Sequence, residues 1–441
     1  MTARRVVSAA VVGSVVEWYD FALFGLAAAL VFNEQFFPAG SPVAGTLGSM
    51  AAFAVGFVAR PVGGAVFSHF GDRLGRRPAL AATLLLMGVS TAAIGLLPTY
   101  ESAGVLAPVL LVVLRVAQGF GAGAEFAGAL VMAAEASEHR RRGLWASLPG
   151  AGVSGGILLA TLVFTAASAL PGFQEWGWRL PFLLSLAGVA LGLWVRSRLP
   201  ESEVFERQRE RGVSRFPLME VVRRQPRSVL LLFFATAPYG AMGYLIQVFV
   251  LSYVSRTLGV PATVALIANV VSSAMAIVAG PLFGLLSDRV GRRPVFLGGA
   301  VLLALFAFPM FRLLETREPV LIVLSVTVAY GIGITAMFAA QAALFAELFD
   351  TRHRYSGIAV VREWGAALSS GPAPLVATAL VAAAGGASWP ISALITGCAL
   401  ICCTAVVLAP ETRDRDLDEP VGSGAQVAQD RQDAAAVAGR L

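Results

Sequence analysis

Glu17-Trp18-Tyr19-Asp20-Phe21-Ala22-Leu23-Phe24-Gly25 lies inside an apolar run from Ser8 to Phe32. The run is long enough to cross a bilayer as a helix. It nevertheless carries two carboxylates, Glu17 and Asp20, three residues apart and therefore close to one helical face, which Phe21 and Phe24 continue. An ionisable group inside a spanning helix is costly, and it faces a bundle interior or a wet cavity. A chain that keeps two acids at this depth must build such a place around them.

The composition agrees. Of 441 residues, 57% are hydrophobic and only 14% charged, with a mean hydropathy of +0.75. A soluble chain carries about 25% charged residues, so a polytopic membrane protein is expected. The net charge of +6 comes from 33 basic residues, every one of them Arg. They are dealt out in small groups between apolar runs, as topology signals are, and give no case for a nucleic-acid partner. Cys398, Cys402 and Cys403 share one apolar run and are read as packing residues. The first run is too long and too acidic for a cleavable signal, so it should be retained as a span.

Apolar runs of spanning length recur twelve times: Ser8–Phe32, Val43–Phe67, Ala79–Pro98, Gly104–Ala134, Leu144–Leu170, Arg179–Val195, Ser228–Val254, Ala262–Leu286, Val295–Leu314, Pro319–Ala346, Gly357–Ala384 and Trp389–Ala409. The loops between them alternate in charge. One set is Arg-rich: Arg4 and Arg5, Arg73 to Arg77, Arg140 to Arg142, the stretch from Arg196 to Arg227, Arg289 to Arg293, and Arg352 with Arg354. The other set holds few basic residues. The positive-inside rule puts the first set, and with it both termini, in the cytoplasm of a cell whose plasma membrane the chain crosses. The domain expectation is a six-helix bundle over 1–197, a cytoplasmic linker over 198–227, a second six-helix bundle over 228–410 and a flexible cytoplasmic tail over 411–441.

An internal repeat supports two halves. Ser68-His69-Phe70-Gly71-Asp72-Arg73-Leu74-Gly75-Arg76-Arg77-Pro78 follows the second run, and Gly284-Leu285-Leu286-Ser287-Asp288-Arg289-Val290-Gly291-Arg292-Arg293-Pro294 follows the eighth. Two like-oriented halves joined by a charged loop form a parallel repeat. The Asp-Arg-x-Gly-Arg-Arg pattern resembles the signature loop of the major facilitator superfamily, with Ser68 standing where the first copy usually has Gly. Within that superfamily, Glu17–Gly25, Arg60-Pro61, Arg115-Val116-Ala117-Gln118-Gly119, Gly177–Phe182 and Arg198-Leu199-Pro200-Glu201 resemble the metabolite:proton symporters, the branch of shikimate, dicarboxylate and proline/betaine carriers. Gly123-Ala124-Glu125 departs from it, since two Gly usually precede the Glu. The resemblance implies an all-α membrane protein of twelve helices in two six-helix repeats around a central cavity. It also implies a proton-coupled carrier that works by alternating access.

Proton coupling needs a group whose titration follows its surroundings. The three His, at 69, 139 and 353, all fall in predicted loops. Coupling is therefore assigned to carboxylates, namely Glu17, Asp20 and Glu125. Arg115 is the expected holder of a substrate carboxylate because its planar fork pairs bidentately, with a structural ion pair to Glu17, Asp20 or Glu125 as the alternative. Gln118, Tyr19, Arg60 and Tyr244 complete the expected substrate site. Glu363 and Arg362 diverge around their helix, so each is free to pair elsewhere. Trp18, Tyr19, Tyr239, Tyr244, Tyr330 and Trp364 suit either a quaternary-ammonium cage or helix packing. Asp72, Arg73, Arg76 and Arg77, with Asp288 and Arg292 as a second set, are expected to gate the cytoplasmic side.

Gly119-Phe120-Gly121-Ala122-Gly123 is superficially like a dinucleotide loop, but it follows no strand and lies in a spanning run, so close helix packing is expected. No metal spacing, nucleophile elbow or phosphate loop is present, so neither a cofactor nor an enzyme is expected. The partners implied are a small-molecule substrate, protons and the lipid bilayer, with a monomer as the functional unit. Import of a small organic acid is the first reading and import of zwitterionic osmolytes the second. A transport-inactive receptor on the same scaffold is the third, and it lacks a loop long enough for a signalling domain.

Overall fold

Backbone polar groups surrounded by hydrocarbon must be satisfied within their own segment, and the apolar runs are accordingly helices. The computed structural model describes residues 3–38, 41–74, 76–123, 141–197, 217–349 and 354–413, which contain no strand. The first bundle comprises α1 (Ala3–Leu30), α2 (Pro42–Leu74), α3 (Arg76–Gly95), α4 (Leu106–Ala122), α5 (Arg142–Ser168) and α6 (Arg179–Ser197). The second comprises α7 (Pro226–Thr257), α8 (Ala262–Val290), α9 (Arg292–Glu315), α10 (Pro319–Leu348), α11 (Arg354–Gly365, continued through Ala366–Ser370 and Ala373–Ala383) and α12 (Trp389–Leu408). Ten of these helices hold long apolar spans, and α3 and α4 hold shorter ones, Ala81–Gly95 and Leu106–Ala122. Glu125, the remainder of the fourth run and most of the charged linker lie outside the described residues. So do the side chains of Asp72, Arg73, Arg76 and Arg77.

Within each half the helices pack as α1 on α5, α2 on α4, α3 on α4 and α6, α7 on α11 and α12, and α9 on α10 and α12. Two seams join the halves: α5 lies along α8, and α2 lies along α11. Advancing each helix by six turns one seam into the other, as a parallel repeat requires.

Without a hydrophobic effect between helices in lipid, close packing relies on small residues. The α2–α4 crossing shows this. A Cβ on Gly63 would collide with the Phe120 carbonyl, and one on Gly119 with the Gly56 carbonyl. The glycines of 119–123 are thus packing residues, as the sequence indicated. The same rule governs the α5–α8 seam, where a Cβ on Gly143 would meet the Gly284 carbonyl at 2.6 Å and one on Gly284 the Gly143 carbonyl at 2.7 Å.

The second half carries a feature with no simple sequence signal. Helices α7, α10 and α11 are each interrupted by π-helical turns, at Leu245–Phe249 and Tyr253–Thr257, Thr327–Ile334 and Ala366–Ser370. Such π turns are rare and concentrate at functional sites. Gly119→Val should cut the yield of folded protein sharply, since overpacking costs about 1–3 kcal/mol or more. Gly13→Ala, which meets nothing within 4 Å, should leave yield and Tm unchanged; equal Tm for both variants would contradict the packing account.

Candidate functional site

α1 sorts its side chains by helical position. Trp18, Ala22 and Leu26, four apart, line a cavity between the two bundles. Opposite them, the π-interrupted helices contribute Tyr239, Tyr244 and Gln247 from α7, Tyr330 from α10 and Arg362 from α11. Arg60 of α2 completes the charged part of the wall. Trp18 and Tyr244 stack, with ring centroids 6.3 Å apart and planes 17° from parallel, and the Arg362 guanidinium lies 5.9 Å from the Trp18 ring centroid. Asn269 of α8 donates to the Gln247 carbonyl at 3.0 Å, bracing the first π turn of α7. Two partly buried side chains on this wall have buried atoms without a hydrogen-bond partner, Trp18 Nε1 and the Tyr244 hydroxyl, and the Gln247 amide beside them lies against the Tyr330 hydroxyl. Buried polar atoms are ordinarily satisfied, so the first two are poised for a polar ligand or water.

The other expected site residues stand behind this wall. Arg115 is fully buried. Its Nε and Nη2 donate to the Phe53 carbonyl at 3.4 and 3.3 Å, and its Nη1 donates to Gln118 Oε1. Four rings surround it, with Phe24 nearest at 4.1 Å and Phe21, Phe53 and Phe57 beyond. A cation over aromatic faces is stabilised by their quadrupoles. Gly56 makes the room, for a Cβ there would collide with the guanidinium. Among the described residues no carboxylate forms an ion pair with Arg115.

Gln118 links Arg115 to α1 and α3, donating to Thr91 Oγ1 at 2.8 Å and to the Asp20 carbonyl at 3.4 Å. Asp20 is buried too, and its Oδ2 has no partner. Tyr19 points away from the cavity and donates to the Pro181 carbonyl of α6 at 2.7 Å. Glu17 reaches Arg60 at 3.5 Å. The expected substrate group therefore divides: Arg60 and Tyr244 face the cavity, whereas Arg115, Gln118 and Tyr19 do not. Trp364 is about half exposed on the outside of the bundle, unlike the four cavity aromatics Trp18, Tyr239, Tyr244 and Tyr330. Sequence reading missed Gln247 and Asn269, whose only signal was polarity inside an apolar run.

Charged contacts join the bundles on both faces. On the face bearing the signature loops, Asp288 accepts from the backbone N–H groups of Gly143 and Leu144 at 2.8 and 3.0 Å, so a C-terminal-half acid caps the N-terminus of α5. Such a cap satisfies orphan donors and complements the helix dipole. Arg292 pairs with Asp288 at 2.7 Å and with Glu347 at 3.0 Å, and Glu347 also takes Arg142 at 3.2 Å. Glu411 and Thr412, at the start of the expected tail, are docked here: Glu411 accepts from the backbone of Arg292, Arg293, Thr412 and Arg413 within 3.1 Å, and Thr412 donates to Glu347 at 2.6 Å. On the opposite face Arg256 of α7 donates to the Ala29 and Leu30 carbonyls, both at 2.9 Å, and to Asn33, and it pairs with Glu34 at 3.2 Å, closing the end of α1.

A two-bundle helical membrane protein with a largely apolar cavity between its halves that carries a few polar and charged groups, and charge clusters across both mouths, has the build of an alternating-access carrier. Family models agree: residues 6–215 match the sugar (and other) transporter model and residues 232–432 the major facilitator superfamily model. The chain is 36% identical to the shikimate transporter of Escherichia coli K12, over 93% of this chain and 95% of that one. It is 38% identical to the E. coli inner membrane metabolite transport protein YhjE, over 94% and 96%. To a putative proline/betaine transporter of Staphylococcus aureus COL it is 32% identical, over 87% and 83%. The D-xylose-proton symporter structure superposes with a TM-score of 0.73, at 20% identity, over 95% of this chain and all of that one. The chain belongs to the major facilitator superfamily, and its relatives fit the metabolite:proton branch of that family. It is a multi-pass membrane transporter and not an enzyme.

Burial alone would raise the Glu411 carboxyl, but the four backbone N–H groups it accepts from outweigh that and hold it below its ordinary 4.5. A carboxylate depressed in the folded state stabilises above its unfolded value and loses that contribution as pH falls through the folded one. Glu411→Ala should lower Tm at neutral pH, and the gap from the parent should close as pH drops below 4.5. Thermal unfolding across a pH series is the measurement, and a gap that widens on acidification would contradict the docking account.

Proposed function

We propose that the chain is a proton-coupled symporter that imports a small organic acid across the plasma membrane, working as a monomer with both termini in the cytoplasm. The observation that carries this reading is the cavity wall that sets Arg60 and Arg362 beside the unpartnered Trp18 Nε1 and Tyr244 hydroxyl and the amide of Gln247. Guanidinium groups suit a carboxylate, and the amide, indole and phenol suit hydroxyl groups around a ring. The names of the shikimate and metabolite transporters among its relatives support the same class.

Proton carriage falls to Asp20, with Glu17 and Glu125 as the further candidates from the sequence. The titration of a buried carboxylate follows its surroundings, and one brought against a cation ionises. Asp20 is linked to Arg115 only indirectly, its backbone carbonyl accepting from Gln118 and its side chain lying against Thr91, which also accepts from Gln118, so a shift between α1 and α4 would change how much of the Arg115 charge Asp20 feels. Arg115 serves in this reading as the counter-charge of the proton site. Asp288 with Arg292, and by the repeat Asp72 with Arg73, Arg76 and Arg77, gate the cytoplasmic side. A second reading, import of a zwitterionic osmolyte, draws on the aromatic share of the wall, since Trp18, Tyr239, Tyr244 and Tyr330 suit a quaternary ammonium.

Uptake of labelled shikimate and of labelled betaine into proteoliposomes, with and without an inward proton gradient, separates the readings. Shikimate should accumulate only with the gradient; accumulation of betaine alone would select the second reading. Asp20→Asn keeps the shape and loses the titration. It should reduce gradient-driven accumulation to the equilibrium level while preserving exchange of substrate across the membrane. Parent-like accumulation in Asp20→Asn would remove this residue from the proton path.

Asp288→Asn leaves an acceptor but loses the charge that pairs with Arg292. It should change turnover and leave substrate affinity within about twofold, because a group remote from the cavity biases the conformational equilibrium instead of contacting ligand. Lost binding with normal turnover would contradict the gating role.

A further inference from the structure

Arg60 is held from both bundles. Its Nε donates to Glu363 Oε2 at 2.7 Å and its Nη2 to Glu363 Oε1 at 3.3 Å, a two-pronged contact across the α2–α11 seam, while Glu17 of its own bundle stands 3.5 Å from Nη2. All three residues are buried. Arg60 alone of the three lines the cavity. The guanidinium also lies 4.9 Å from the Phe21 ring centroid and 6.0 Å from that of Phe57.

Glu17 and Glu363 both stand against the Arg60 guanidinium, with Arg362 also in electrostatic reach of the two acids, and a third carboxylate arriving at Arg60 from the cavity would meet like charge unless one of the two withdrew. Glu17 sits on the helix packed beside Arg60 within the same bundle. Glu363 comes from the opposite bundle, on a helix that turns π-helical three residues later, at Ala366–Ser370. That segment packs closely on its neighbours: a Cβ on Gly240 of α7 would collide with Ser370, and one on Gly371, the next residue, would meet Phe57 Cβ at 2.6 Å. Movement of α11 at Glu363 is thus transmitted to α7 and α2 together.

We propose that Arg60 is exchanged between Glu363 and the substrate. An anionic substrate takes over the Arg60 edge that Glu363 occupies, and the release of Glu363 unties α11 from α2 in the middle of the membrane. Substrate binding then removes a contact between the bundles, which gives the bound state a differential interaction with the two conformations, as a ligand-driven transition requires. This rests on the organic-acid reading above and adds the residue through which binding is converted into movement.

The test is Glu363→Gln in the full-length protein. With no anion to displace, shikimate should bind about tenfold tighter or more, while turnover falls because binding no longer breaks a bridge. Glu101→Gln, an exposed acid on a loop helix, should change neither. A bridge of purely structural importance would lower Tm without tightening binding, so unchanged or weaker affinity in monodisperse Glu363→Gln overturns the proposal.

A second arm needs no substrate. Spin labels at Leu191 of α6 and Leu286 of α8, both exposed, are placed in a background with Cys398, Cys402 and Cys403 replaced by Ala. Glu363→Gln should shift their distance distribution in the ligand-free protein. If the parent binds neither shikimate nor betaine, the functional reading fails, and the labels alone decide the bridge: a shifted distribution supports it and an unchanged one overturns it.

Discussion

A positive charge at the centre of the bundle has to be paired, and much of the structure is arranged around that need. Arg60 is buried in α2 with Glu17 on one side and Glu363 on the other. Breaking a buried ion pair by removing one partner is strongly destabilising, because the remaining charge is left uncompensated. The requirement draws α1, α2 and α11 together and so ties the two halves at one place in the membrane. It also makes that place sensitive, since any competing anion that reaches the cavity bears on the same guanidinium.

The other seam uses different chemistry, nearer the face that bears the signature loops. Where α2 meets α11 through a side-chain ion pair, α5 meets α8 through backbone approach at Gly143 and Gly284 and through the carboxylate of Asp288 on the end of α5. Glu347 gathers Arg142, Arg292 and Thr412 beneath it, and Glu411 holds the end of α9. The opposite face is closed more simply, by Arg256 against the last carbonyls of α1. Polar clusters of this type join rigid bundles by a few contacts that can be made or lost together, which suits discrete states better than continuous bending.

Arg115 illustrates how the same residue type serves a different end. It has no exposure to the cavity, and its donors go to a backbone carbonyl and to Gln118 inside a box of phenylalanine rings. Asp20 lies on the far side of Gln118 with one oxygen unmatched.

Much was legible in the sequence because its causes are local. Twelve apolar runs demand twelve helices, since hydrocarbon leaves the backbone no other solution. The paired loops around Asp72 and Asp288 disclosed the repeat, and the acids at 17 and 20 marked α1 as functional. What α1 does with those acids was decided only by tertiary structure. Residues three apart share a helical face, but the neighbours that meet that face come from elsewhere in the chain: Arg60 for Glu17, and α3 with Gln118 for Asp20. The sequence could not show that Glu363, some 300 positions away, would be the second partner of Arg60, that Gln247 would be turned into the cavity on a π-helical segment, or that Arg115 would be enclosed. Those outcomes depend on which helices cross and how closely, and that follows from the summed packing of small residues along both seams.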